Sequence, residues 1–181
     1  EESLAKLEAF NDYIGGNMAS IIFQEIREFR SLAYGSSGRY NASFFRTKPG
    51  YFKGFLSTQS DKTVDAVEAF TGILSEMPQK PERIDAVRKN LTLSINASQP
   101  SFRWKSYSVS KWMDQGYRQD PRKARYTGYQ TVTFDQIVDF YNTNIKGRPW
   151  VIVIAGDNSR IDMEKLKKFG TIKTLKLDDI I

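Results

Sequence analysis

The pair Gly15-Gly16 divides an apolar helical pattern near the start of the chain into two segments. Before the pair, apolar residues recur at near-helical spacing and predict an amphipathic helix over residues 2–13. After it, an apolar stripe predicts a second helix over residues 18–30. The stripe consists of Met18, Ile21, Ile22, Ile26 and Phe29. At about 100° per residue, Arg27 lies on the opposite side of this helix, so we expect its side chain to face solvent.

Two aromatic segments follow the second helix. Residues 34–45 and 51–58 are separated by the strong turn sequence Lys48-Pro49-Gly50, which predicts an antiparallel hairpin. Alternation along the second strand places Phe52 and Leu56 on one face.

The middle of the chain is dominated by helical patterns. Helices are predicted over residues 61–77, 81–95 and 101–117, and another is predicted to start at residue 133. Asp61 is the expected N-cap of the first of these. Thr133 and Gln136 have the spacing of a capping box, in which each side chain bonds the other's backbone N–H. The polar, basic residues 116–129 are expected to form a connection.

The C-terminal part predicts strand, helix and strand. Residues 150–155 form a continuous apolar run rich in β-branched residues, which favours a strand that is central in a sheet or covered on both faces. A short helix over residues 162–168 and a last strand over residues 171–177 complete the order. The fold class expected is α+β, with helices packed on a mainly antiparallel sheet, in one domain over residues 1–181.

The composition excludes several kinds of catalytic site. The 181 residues include no histidine and no cysteine. A Ser-His-Asp or Cys-His site is therefore excluded, as is the usual zinc site, so no metal or cofactor is expected in this chain. No apolar run approaches the roughly 20 residues that span a bilayer. If the chain belongs to an enzyme, we expect most of the chemistry to lie elsewhere.

The net charge of +6 permits nucleic-acid binding without favouring it. A basic and aromatic stretch over residues 102–126 has the composition of a surface that stacks bases. The favoured interpretation is a solvated helix whose tryptophans, Trp104 and Trp112, belong to the core. We therefore expect no nucleic-acid partner.

Residues 13–34 resemble a segment shared by the pitrilysin/insulinase superfamily of zinc metallopeptidases, which includes the mitochondrial processing peptidases. The matching features are a Gly-Gly turn, the small residue and serine Ala19-Ser20, Ile22-Phe23, Arg27-Glu28 and Leu32-Ala33-Tyr34. The resemblance is strong over this segment and weaker over the rest of the chain. Members of the superfamily consist of two related halves that close as a clamshell.

The resemblance implies that this chain is the C-terminal half, because the N-terminal half carries His-x-x-Glu-His and zinc. It also implies that Arg27 and Tyr34 reach into the cleft as auxiliary catalytic residues. There, Tyr34 would stabilise the oxyanion of the transition state and Arg27 would hold a substrate carbonyl. The partners expected are a peptide substrate and the zinc-binding half, on the same polypeptide or a separate subunit. The alternative is a catalytically inactive structural or interaction subunit of the same fold.

The family's domain begins with a strand that is missing ahead of the first helix here. We therefore expect a domain truncated before its first strand, with an unpaired sheet edge that a second copy fills as a homodimer. The sequence does not specify the compartment, and a periplasmic location in a bacterium is our working expectation.

Overall fold

Helices cover a two-stranded antiparallel sheet in the computed structural model, which describes residues 2–43 and 49–176. The strands are β1 (Gly35–Asn41) and β2 (Tyr51–Ser57), and Gly38 lies opposite Gly54 in their register. The helices are α1 (Glu2–Ile14), α2 (Thr63–Ser75), α3 (Ile84–Ala97), α4 (Lys105–Asp114), α5 (Arg122–Thr131), α6 (Phe134–Asn144) and α7 (Met163–Leu166). The predicted α+β class and the predicted hairpin are confirmed. Phe45, Lys48 and Leu177, which belong to predicted elements, lie outside the described residues.

Helix α1 lies at the centre of the packing and contacts β1, α3, α5 and α6. Its apolar stripe is buried because all four neighbours cover it. Phe10 packs against the rings of Phe52 from the sheet and Phe140 from α6. The core residues on the other elements include Ile21, Ile22, Ile26, Leu74, Val87, Val132, Ile137 and Ile145. Burial of these apolar side chains favours the packing of the helices on the sheet.

The Gly-Gly pair has a steric role in joining α1 to the sheet. A Cβ atom at Gly15 would collide with the backbone N and O atoms of Gly38 in β1. Gly38 in turn faces the side chains of Ile22 and Phe52, which leave no room for a Cβ there. The turn therefore needs a glycine because two backbone segments approach each other closely.

Next to this contact, an amide side chain covers the outer edge of β1. Asn11 Nδ2 donates to the carbonyl oxygen of Tyr40 at 3.0 Å. The Tyr40 N–H donates to Asn11 Oδ1 at 2.7 Å. The side chain of Asn11, which is buried, thus takes the place of a neighbouring strand at this position.

The capping box predicted for α6 is confirmed. The Gln136 N–H donates to Thr133 Oγ1, and the Thr133 N–H donates to Gln136 Oε1. Ile137 and Tyr141 of α6 are buried. The Tyr141 hydroxyl accepts from the Met77 N–H and lies 2.6 Å from the carbonyl oxygen of Ser75, to which it donates. This tyrosine ties α6 to the end of α2.

The N-cap predicted for α2 is wrong. Asp61 lies inside a short 3₁₀ turn, Ser60–Lys62, and α2 begins at Thr63 without a side-chain cap. The carboxylate of Asp61 lies 3.7 Å from the guanidinium of Arg160 instead. The 3₁₀ turn tightens the entry to the helix and shifts its start by two residues.

The connection predicted over residues 116–129 is also wrong, because its second half forms α5. This helix contacts α1 and α3 and buries Tyr129 between them. At Gly128, a Cβ would lie 3.0 Å from the Cβ of Ala5. Tertiary packing at these small and aromatic positions stabilises a helix that polar composition alone did not indicate.

Residues 150–155 do not form the predicted covered strand. The segment has no assigned secondary structure. Its exposure alternates as along a strand: Val151 and Val153 are 93% and 85% exposed, whereas Ile152 and Ile154 are 41% and 40% exposed. Within the described residues, this segment makes none of the backbone–backbone hydrogen bonds. It therefore has the side-chain pattern of a strand but no paired neighbour in residues 2–43 and 49–176.

A slot of about 500 Å³ separates this segment from β2 and α2. Gly54, Val67 and Phe70 line one side, and residues 150–156 line the other. Among the described residues, none of the side chains that line the slot carries a charge. The slot lies along the side of β2 that faces away from β1.

The described part of the second predicted strand, residues 171–176, is likewise irregular and exposed. The short helix before it is confirmed as α7, which Asp162 caps by accepting from the Lys165 N–H. Gly170 follows with a φ of 150°. Across residues 2–43 and 49–176, every helix is too short or too polar to cross a membrane.

Candidate functional site

The segment that carries Arg27 folds as a π-helix, Phe23–Glu28, instead of the predicted α-helix over residues 18–30. The Phe29 N–H donates to the Gln24 carbonyl oxygen at 2.9 Å, which is the i to i−5 bond of a π-turn. A π-turn rotates through a smaller angle per residue than an α-helix. The residues that follow it therefore point in different directions from those they would have in a regular α-helix. Single π-turns of this kind are frequent at functional sites.

The apolar stripe predicted for this helix is only partly buried. Ile21, Ile22 and Ile26 are fully buried, but Met18 and Phe29 are 74% and 65% exposed. Met18 lies in the turn before the helix begins, and Phe29 follows the π-turn. Burial of these two residues was therefore predicted wrongly, because the prediction assumed one regular helix.

Arg27 is exposed, as predicted, and its guanidinium lies close to two aromatic rings. Its Cζ atom is 4.8 Å from the ring centroid of Phe23 and 5.5 Å from that of Tyr34. The contact with Glu28 is longer than a hydrogen bond, at 3.7 Å from Nε. Cation–π contacts orient the guanidinium while leaving its N–H donors free for a ligand.

Tyr34 lies just before β1 and is 85% exposed. Its backbone N–H donates to the Ser57 carbonyl oxygen at 2.8 Å, which fixes its position against the end of β2. Among the described residues, nothing forms a hydrogen bond with its phenol oxygen. The hydroxyl is therefore available as a donor outside the chain.

The backbone between the two residues is unusual. Ser31 has a φ of 49°, in the left-handed region that non-glycine residues rarely adopt. The hydroxyl of Thr58 donates to the Leu32 carbonyl oxygen and holds the segment against the end of β2. Ser31, Tyr34 and Lys62 line a pocket of about 280 Å³ beside the tyrosine. A sparsely populated backbone conformation next to an exposed pocket is typical of binding sites.

The structure therefore brings together the two residues that the sequence singled out, Arg27 and Tyr34. It adds Phe23, for which the sequence predicted no role in binding. The signal for Phe23 was its position four residues before Arg27, a spacing that places side chains on one helix face. The strain at Ser31 has no local sequence signal.

Zinc does not fit the residues of this chain. The chain has no histidine or cysteine. In the part of the chain that the structure describes, no group of three or more potential metal ligands lies together. The arrangement at Arg27 and Tyr34 offers hydrogen-bond donors and a positive charge, which suit a carbonyl or carboxylate oxygen.

The basic and aromatic stretch lies apart from this site, on α4 and its surroundings. Trp104 is 62% exposed, so its predicted place in the core is wrong. Trp112 is half-buried, and the guanidinium of Arg122 lies 5.4 Å from its ring centroid. Helix α4 buries none of its residues.

The fold is similar to three solved structures. A peptidase M16 inactive domain from Pseudomonas fluorescens matches with a TM-score of 0.61 and 17% identity, over 81% of this chain and 35% of that one. A conserved protein from Enterococcus faecalis matches at 0.57 and 18%, over 78% and 33%. A protease from Helicobacter pylori matches at 0.57 and 12%, over 79% and 35%. At these identities the likeness establishes the fold.

Sequence comparison gives two further matches. An uncharacterised zinc protease of Rickettsia bellii is 30% identical over 112 residues, which is 61% of this chain and 26% of the relative. The chain thus spans about a quarter of that relative and a third of the similar structures. The family model described as the peptidase M16 inactive domain matches residues 1–91, half of the chain. The chain therefore belongs to the peptidase M16 family, the pitrilysin type of zinc protease, as its inactive C-terminal domain.

Proposed function

We propose that this chain is the substrate-binding half of a two-half zinc endopeptidase, in which Arg27 and Tyr34 donate hydrogen bonds to a bound peptide. The observation that supports this most is the placement of an exposed guanidinium 5.5 Å from the ring of an exposed tyrosine. A guanidinium can hold a main-chain carbonyl of the substrate. A phenol can donate to the carbonyl oxygen that gains negative charge during peptide hydrolysis.

The zinc and the remaining catalytic groups belong, in this proposal, to an N-terminal half on the same polypeptide or on a separate subunit. Residues from two halves then form one site, so hydrolysis depends on closure of the halves around the peptide. The chain alone is inactive. The cation–π contacts with Phe23 and Tyr34 support the proposal, since they restrict the guanidinium before a substrate arrives.

The test combines this chain with the zinc half and measures peptide hydrolysis. Arg27→Ala and Tyr34→Phe should each lower kcat/KM at least about tenfold, because each removes a donor worth about 2–4 kcal/mol in the transition state. Far-UV circular dichroism of each variant should match that of the unchanged chain, since both side chains are exposed.

Arg30→Ala and Tyr51→Phe are the matched controls. Both residues are exposed and of the same type, and both lie outside the contacts described for the site. They should leave kcat/KM within about twofold. Equal rates for all four variants would contradict the catalytic assignment and favour the inactive structural subunit.

We also propose that the slot between β2 and residues 150–156 receives an extended strand from a second copy of the chain. The uncharged lining and the alternating exposure of Val151 to Ile154 support this, because they match one strand inserted between two others. Inserted strands bond through their backbones, so a proline in the slot wall should prevent binding.

Sedimentation equilibrium tests this second proposal. The unchanged chain should form a dimer, and Val151→Pro should shift it toward the monomer. Lys173→Pro, in the exposed irregular segment after α7, is the control and should leave the dimer intact. A monomer at all concentrations for the unchanged chain would contradict the proposal.

A further inference from the structure

A trough of about 830 Å³ lies between the β1–β2 hairpin and helices α3 to α5. We call it the basic trough because four cationic side chains of the described residues line it. These are Arg39, Lys53, Arg122 and Arg125. Two carboxylates, those of Glu8 and Asp12, also line it.

Arg122 is already paired inside the chain. Its guanidinium lies 2.6 Å from an oxygen of Asp120 and donates to Gln99 Oε1 at 3.1 Å. Arg125 lies 6.0 Å from the ring centroid of Tyr117, and its buried Nε has no hydrogen-bond acceptor in the described chain. Arg125 therefore keeps an unused donor.

Arg39 and Lys53 are exposed and lie directly opposite each other in the register of β1 and β2. Over the described residues, no carboxylate lies within ion-pair distance of either side chain. Like charges placed opposite each other on neighbouring strands destabilise a sheet. A bound anion between them would remove this repulsion.

The two carboxylates of the trough are half-buried. Asp12 accepts from the amide groups of Asn17 and Asn90, and Glu8 Oε2 is buried with no hydrogen-bond donor in the described chain. Burial raises the pKa of Glu8, although the charges of Arg125 and Arg39 act in the opposite direction. Burial likewise raises the pKa of Asp12, against the lowering effect of its two amide donors.

We propose that the basic trough binds an acidic peptide segment, whose carboxylates pair with Arg39, Lys53 and Arg125. Phe55 and Trp112 also line the trough, and their rings can cover the aliphatic stems of glutamate side chains. A peptide offers such stems beside its charges, whereas a nucleic-acid backbone offers phosphates on a polar sugar chain. This site is separate from Arg27 and Tyr34, so it does not depend on the proposed peptidase function.

The experiment measures binding of short fluorescent peptides to the full 181-residue chain by fluorescence polarisation at low salt. A peptide of alternating Glu and Ala should bind at least about tenfold more tightly than the same peptide with Gln in place of Glu, because only the first offers carboxylates. Added salt should weaken the binding, since the contacts are solvent-exposed. Equal binding of the two peptides would overturn the proposal.

The double variant Arg39→Gln with Lys53→Gln should weaken binding of the Glu peptide at least about threefold, as expected for loss of two exposed ion pairs. The control is Lys89→Gln with Lys173→Gln, which removes the same charge from exposed positions outside the trough. The control should bind as the unchanged chain does. Equal loss in both double variants would indicate a general charge effect and overturn the assignment.

Inorganic phosphate and a single-stranded oligonucleotide are the competing ligands. Neither should displace the Glu peptide at equal concentration, and displacement by either would contradict a peptide site. As an independent measurement, a carbodiimide joins peptide carboxylates to a nearby lysine as an amide. Mass spectrometry should find the Glu peptide attached to Lys53, and attachment at other lysines without Lys53 would also contradict the proposal.

Discussion

At the scale of single residues, two glycines in different surroundings make a matched pair. Gly15 abuts the backbone of Gly38, whereas nothing lies within 4 Å of a Cβ placed on Gly72 in α2. The methyl group of an alanine would therefore collide with backbone atoms at Gly15 but would lie in open space at Gly72.

Gly15→Ala should lower the free energy of unfolding by about 1–3 kcal/mol, because backbone atoms of β1 or α1 must move to admit the methyl group. Gly72→Ala should raise it by about 0.5–1 kcal/mol, because alanine favours the helix interior. Urea unfolding followed by circular dichroism measures both. A stability loss at Gly72, or none at Gly15, would contradict the packing described here.

At the candidate site, the sequence predicted the exposure of a residue but not its contacts. Periodicity alone predicted that Arg27 is exposed, because the buried isoleucines fix the opposite face of the helix. It did not predict the contacts of Arg27 with Phe23 and Tyr34, since these depend on where β1 begins relative to the π-helix. Local patterns specify which side of an element a residue occupies, and tertiary packing determines what it contacts.

At the scale of elements, the start of α6 depends on one capping box. Thr133→Ala removes the side-chain oxygen that accepts from the Gln136 N–H. The expected loss in the free energy of unfolding is about 1 kcal/mol. Thr133→Ser keeps the acceptor and should lose much less. Chemical unfolding of the two variants checks this, and equal losses would contradict the capping role.

Elements with a strong local signal were predicted well. Helix α6 has its capping box, and the apolar stripe of α2 is buried at Val64, Val67, Ile73 and Leu74. Helix α5 was not predicted because tertiary contacts stabilise it: it forms where Gly128 and Tyr129 pack on α1 and α3. Residues 150–155 were assigned as a covered strand because composition reports β-propensity and cannot report whether a neighbouring strand is present.

At the scale of the whole molecule, stability depends on pH partly through Glu8. Burial raises its pKa above the ordinary value, although Arg125 and Arg39 lower it. The folded chain therefore holds the Glu8 proton more tightly than the unfolded chain. Stability from this group is present below its unfolded pKa, about 4.3, and falls as pH rises through the raised folded value.

Glu8→Gln should remove this part of the pH dependence. Relative to the unchanged chain, the variant should gain stability as pH rises above the ordinary glutamate pKa of about 4.3. Thermal unfolding of both chains at several pH values measures the difference in stability. Carboxylates with a lowered pKa, such as Asp120 and Asp162, are present in both chains, so their contribution to the pH dependence drops out of this difference. A difference that is constant with pH would contradict a raised pKa for Glu8.

The amide of Asn11 also bears on how the chain behaves at high concentration. Because this side chain bonds both the N–H and the carbonyl oxygen of Tyr40, an incoming strand cannot form a continuous ladder along β1. In the proposed dimer, the added strand therefore pairs on the β2 side. Growth of a fibre through this sheet would require strands to add on both sides of the hairpin. The buried side chain of Asn11 blocks this addition on the β1 side.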